Sequence, residues 1–164
     1  MKIKLNESLP SADFFYLDEI NVVKKINSSA LFKGHKAILI GVPGAFTKVC
    51  SSKHLPGYVN NFKEAKKKGI TKIVCVSVND PNVMKAWGES QKVKGKVFMA
   101  ADPFCEFTKL IGAEIDRFTK GLGLRSARYT MLIENEIVKK IKEEEDTGSC
   151  EISAAENFIK DIQL

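Results

Sequence analysis

The sequence predicts an α/β protein, a three-layer sandwich built on a mixed central sheet. Two observations carry that prediction. Short apolar runs rich in β-branched residues alternate with longer stretches of helical character, the order of parallel strands joined by crossovers. The last third instead places two strand-like runs either side of a tight turn, so an antiparallel hairpin joins the same sheet. The 164 residues suffice for one hydrophobic core, and residues 1–164 read as a single domain.

The first core strand is Ala37-Ile38-Leu39-Ile40-Gly41-Val42, a continuous apolar run closed by Pro43-Gly44. A helix from about Lys48 to Lys68 follows, with a kink expected at Pro56-Gly57 because proline has no N–H to donate. Lys72 to Val78 is the next strand. Asp80 caps and Pro81 opens a helix running to about Ser90. Lys96 to Ala100 is a third strand, and Asp102-Pro103 repeats the cap-plus-proline device to start a helix ending near Leu110. Tyr129 to Ile133 and Glu136 to Ile141 flank the turn at Glu134-Asn135 as a hairpin, and a helix from about Ser153 to Ile162 closes the chain. The loop Val42 to Val49 lies beyond the carboxyl end of the first core strand, where open α/β folds place their ligand chemistry.

Composition narrows the function. No stretch approaches the roughly 20 apolar residues of a membrane span, so no membrane partner is expected. The opening MKIKLNESLPSADFF lacks both a secretory apolar region and an Arg-rich transit pattern. A cytoplasmic location is therefore expected, or an organellar one if a presequence precedes the chain. The net charge of +6 is spread along the chain, without the basic patch and interleaved aromatics of a nucleic-acid surface. Its one tight run, Lys66-Lys67-Lys68, reads as the last turn of a helix, where cations complement the dipole. The acidic run Glu143 to Asp146 reads as a surface loop.

Four cysteines stand at 50, 75, 105 and 150, with no C-x-x-C pair. Only two histidines are present and no metal-ligand spacing occurs, so no metal and no other cofactor is expected. Reduced thiols are the reading for such a chain. Cys50 differs from the others in its placement. It lies in the opening turn of the helix after Pro43, where orphan N–H groups and the positive dipole end favour a thiolate, the nucleophilic form. Thr47 supplies a hydroxyl three residues upstream, Pro43 stiffens the loop, and Lys48 and Lys53 add positive potential.

The string VPGAFTKVCSSKHLPGY resembles the active-site segment of the peroxiredoxins, whose P-x-x-x-T-x-x-C signature is filled by Pro43, Thr47 and Cys50. Gly44-Ala45-Phe46 and His54-Leu55-Pro56-Gly57-Tyr58 narrow the resemblance to the type II or type 5 branch. Val76 to Asp80, Ala100 to Pro103 and Gly123 to Tyr129 extend it over nearly the whole chain. Lys48 is the departure, for family members usually carry proline after the threonine.

The resemblance implies a thioredoxin-like fold, a homodimer through the active-site-loop face, and reduction of hydrogen peroxide and alkyl hydroperoxides. It makes Cys50 the attacking sulfur, oxidised to a sulfenic acid, with Thr47 Oγ bonded to the thiolate and orienting the peroxide. Arg128 stabilises the thiolate and the charge developing on the O–O bond, as a fixed guanidinium fork is suited to do. Backbone N–H groups of the segment containing Pro43, Gly44 and Val49 complete the pocket. Arg125 is the weaker candidate, equally readable as a surface or dimer-contact arginine. His54 reads as a packing residue that supports the helix.

Cys75, in mid-strand, and Cys150, in the polar loop before the last helix, are candidates to resolve Cys50. Otherwise glutathione with glutaredoxin, or thioredoxin, acts as an external reductant. A peroxide sensor or relay, passing oxidation from Cys50 to a partner protein, is the alternative reading.

Overall fold

Alternate residues of one strand point into two separate apolar layers, and that alternation organises the fold. The computed structural model describes residues 1–164. Strand β3 (Lys36–Val42) sends Ile38, Ile40 and Val42 to one face, into a cluster with Trp87, Tyr58 and Phe158. It sends Ala37 and Leu39 to the other, with Phe14, Phe32 and Phe107. A strand buried on both faces must be apolar at every position, which is why its sequence is continuous rather than alternating.

Nine strands form. Besides β3 they are β1 (Asp13–Leu17), β2 (Val23–Asn27), β4 (Lys72–Ser77), β5 (Phe98–Ala101), β6 (Glu114–Arg117), β7 (Gly123–Ser126), β8 (Tyr129–Glu134) and β9 (Ile137–Glu143). Seven make one sheet in the order β2-β1-β5-β4-β3-β8-β9. The inner strands β5, β4 and β3 are parallel, while β1 and β8 flank them antiparallel. The sheet is mixed, as predicted, and the fold is the thioredoxin-like one. Strands β6 and β7 make a separate two-stranded sheet.

The helices are α1 (Ser28–Phe32), α2 (Leu55–Asn60), α3 (Phe62–Lys67), α4 (Pro81–Ser90), α5 (Glu106–Leu110) and α6 (Ala155–Lys160). Asp80 caps α4 as expected, accepting from Val83 N at 3.0 Å, with Pro81 in the first turn. None is long and apolar enough to cross a membrane.

Three expectations change. The long helix from Lys48 is not a single kinked rod. It contains a π-turn at Cys50–His54, in which Leu55 N reaches back to Cys50 O, and it breaks again at Asn61. The slip to wider hydrogen bonding falls immediately before Pro56, whose missing donor already interrupts the ladder. Asp102-Pro103 does not open a helix directly. Cys105 adopts a left-handed conformation (φ 56°), and α5 starts at Glu106. The Asp102 carboxylate still caps it from a distance, accepting from Phe107 N, Thr108 N and Thr108 Oγ1. Glu144 is not on a surface loop but buried.

The topology brings two distant segments together. Tyr129, at the start of β8, pairs with Gly41 near the end of β3. A Cβ on Gly41 would stand 2.1 Å from the Tyr129 ring, so glycine is required where the ring crosses the strand. Arg128, one residue earlier, is thereby delivered to the loop that leaves β3.

Candidate active site

Cys50 is fully buried on the π-turn, and its sulfur accepts a hydrogen bond from Arg128 Nη2 at 3.2 Å. Arg128 is itself 2% exposed. Its Nε and Nη2 both donate to Thr147 O, at 3.3 and 3.0 Å, and Nη1 donates to His54 Nδ1 at 3.1 Å. Four of the five guanidinium N–H groups are thus assigned, which leaves one on Nη1. Of the groups it meets, only the cysteine sulfur can carry a negative charge. A buried cation without a counter-charge is costly.

The loop that carries Cys50 is tied at several points. Ala45 N donates to Asn79 Oδ1 at 2.9 Å, and Ser77 Oγ donates to the same oxygen. Pro43 and Gly44 are buried and Val49 half-buried, while Phe46 and Lys48 are exposed. Arg125 Nη1 lies 3.4 Å from Pro43 O, and its Nε donates to Leu122 O. A Cβ on Gly44 would come within 2.8 Å of that guanidinium nitrogen, so a side chain there would displace the end of Arg125. The solitary tryptophan, Trp87, is buried and donates through Nε1 to Ser51 Oγ at 2.9 Å, fixing α4 to the residue after Cys50.

One expected bond is absent. Thr47 Oγ1 does not donate to the Cys50 sulfur; it donates to Gly44 O at 2.7 Å, the nearer acceptor within its own turn. Its lone pairs remain as acceptors.

His54 and Thr147 emerge as parts of the site. Burial first, then the Arg128 charge, pulls the His54 imidazole down to about 3, so it is neutral. Thr147 contributes only its carbonyl to Arg128, a group every residue owns, so its identity leaves no mark in the sequence. Arg117 on β6 donates to the Thr147 hydroxyl, which places that residue between two arginines.

The other thiols are also buried. Cys75 and Cys150 are 0% and 2% exposed, and burial pushes both upward toward the protonated form. Burial does the same to Cys105. Cys150 lies within a loop clasped by Glu144, whose carboxylate accepts from Glu151 N, Ile152 N, Ser153 N and Ser153 Oγ.

Known proteins resemble this chain in sequence and in fold. The Redoxin family model matches residues 5–159. Peroxiredoxin-2D of Arabidopsis thaliana is 40% identical over 158 residues, spanning 96% of this chain and 97% of its own. The structure of reduced Prx3 in complex with H2O2 from Vibrio vulnificus aligns with a TM-score of 0.92 at 40% identity, covering 98% of this chain and 99% of that one. Peroxiredoxin 5 from Alvinella pompejana aligns with a TM-score of 0.85 at 30% identity, covering 98% and 97%.

Proposed function

This chain belongs to the Redoxin family as a thiol-dependent peroxidase of the peroxiredoxin type II and type 5 branch, and on that premise we propose that Cys50 is the sulfur that reduces the hydroperoxide. The observation that carries the assignment is the buried Arg128, whose contact able to bear a negative charge is Cys50 Sγ at 3.2 Å.

The Cys50 thiolate attacks the terminal oxygen of the hydroperoxide. An S–O bond forms as the O–O bond breaks, sulfur loses two electrons to the peroxide, and the hydroxyl stays on sulfur as a sulfenic acid. The departing alkoxide takes a proton and leaves as alcohol, or as water when the substrate is hydrogen peroxide. The unassigned N–H of Arg128 Nη1 is a donor for the oxygen on which charge develops. Thr47 Oγ1, with its proton engaged by Gly44 O, serves as an acceptor for the peroxide hydroxyl. Pro43, Gly44 and Val49 form the wall of the pocket.

An external thiol, glutathione with glutaredoxin or alternatively thioredoxin, then attacks the sulfenic acid. Water is released, and a second thiol frees Cys50 as thiolate. Supporting this choice, burial pushes the Cys75 and Cys150 thiols toward the protonated, less nucleophilic form. A cytoplasmic setting, where glutathione keeps thiols reduced, suits it. Phe46, on the loop before Cys50, is 58% exposed, an apolar side chain at the surface that supports a homodimer through the active-site-loop face. Sedimentation of a monomer at all concentrations would remove the dimer from the account.

Hydroperoxide consumption with glutathione and glutaredoxin tests the assignment. We expect steady turnover by the wild type and none by Cys50→Ser; turnover retained in that variant would exclude Cys50 as the attacking group.

A further inference from the structure

We infer that His54 is a positioning residue of this reaction, which accepts from Arg128 Nη1 as the Nε2–H tautomer and so fixes the guanidinium plane against Cys50. The inference rests on the peroxidase reading of Cys50. Arginine has no acceptor and does not lose its proton, so His54 Nδ1, 3.1 Å from Arg128 Nη1, must present its lone pair. The ring proton then sits on Nε2, 3.2 Å from Thr130 Oγ1. Thr130 donates its own proton to Ser153 O at 2.8 Å, and Tyr58 OH donates to that carbonyl at 2.7 Å. Reversing the tautomer would set N–H against N–H, so the direction of the chain is unique.

The need for this contact follows from the other bonds. Nε and one hydrogen of Nη2 share a single acceptor, Thr147 O, which acts as one pivot. His54 supplies a second fixed point on the other terminal nitrogen. It also sits on the same π-turn as Cys50, so one element holds both ends of the guanidinium edge. Arg128 and, edge-on at 5.8 Å between ring centroids, Tyr58 face the imidazole. The Ser153 backbone favours protonation of the ring, but burial and the Arg128 charge outweigh it, and the ring is 0% exposed.

The test compares His54→Asn, His54→Gln and His54→Leu by the second-order rate with hydrogen peroxide, each variant checked by its melting curve. Asparagine places Oδ1 where Nδ1 stands; glutamine carries its amide outward toward the Nε2 position. We expect Asn to keep the rate within about threefold, while Gln and Leu lose roughly tenfold or more, as loss of a hydrogen bond to a charged group implies. Equal rates for Asn and Gln would overturn the inference, and that pair suffices where Leu fails to fold. Nitrogen NMR of the wild type gives an independent reading: we expect Nδ1 unprotonated from about pH 8 to about pH 5, below the ordinary histidine range. A proton on Nδ1 would overturn it. Turnover surviving in Cys50→Ser would remove the peroxidase reading itself. If Cys50 is required yet all three His54 variants match the wild type, the positioning role alone fails.

Discussion

Arg128 is where the chemistry and the burial of the site meet. Its charge lies inside the protein with two bonds to one carbonyl, one to an imidazole and one to a sulfur. Lysine at this place keeps the charge but loses the planar fork, so it cannot hold Thr147, His54 and Cys50 together. We expect Arg128→Lys to lower kcat/KM for hydroperoxide by roughly a hundredfold, the scale at which a fixed electrostatic donor contributes. A rate within a fewfold of the wild type would show that charge alone suffices. At this scale the sequence motif points to Cys50, Thr47 and Arg128, but their detailed bonding was not legible. Thr47 bonds its own turn rather than the sulfur. His54 looked like packing because its partner is 74 residues away. Thr147 acts through its backbone, which no residue pattern reveals.

The loop from Glu144 to Ser153 joins Arg128 to Cys150. Thr147 O in this loop receives Arg128, and the Glu144 carboxylate gathers the amides of Glu151, Ile152 and Ser153. Burial raises that carboxyl, but the hydrogen bonds from Glu151, Ser153 and Ile152 outweigh it and hold the group below 4.5. A depressed acid stabilises the fold fully above its unfolded value and ceases to do so as pH falls through the folded value. The clasp is therefore complete at neutral pH and is lost only in acid, as pH falls through the depressed folded value. We expect Glu144→Gln to cost about 1.5–3 kcal/mol, the worth of charged hydrogen bonds. Hydrogen-exchange protection of the Glu151, Ile152 and Ser153 amides should fall with it at neutral pH. Unchanged protection there would mean that the loop is held by other contacts.

Element by element, the apolar strands β3, β4 and β8 were legible because burial on both faces leaves a continuous signal. The outer hairpin β1–β2 was not, since β2 reads Val-Lys-Lys-Ile-Asn and its lysines suit an exposed sheet edge. The pair β6–β7 consists of four-residue strands with polar, half-exposed side chains, formed by pairing with each other rather than by their own periodicity. The π-turn is equally silent in sequence, although Pro56 marks the place where the helix must yield.

For the whole molecule, the mixed sheet and its two apolar layers place Cys50 where four separate segments converge. β3 leads into the loop before Cys50, β8 begins beside Arg128, the π-turn carries Cys50 and His54, and the late loop brings Thr147. All four thiols are buried, but only Cys50 has a guanidinium against its sulfur, and that contact is what directs the proposed oxidation to it. Mass spectrometry after one equivalent of hydrogen peroxide, with a sulfenic-acid trap present, tests this most directly. We expect a single trapped oxidation on Cys50, absent in Cys50→Ser and replaced by a glutathione adduct when glutathione is present. Trapping on Cys75, Cys105 or Cys150 while Cys50 stays reduced would contradict it.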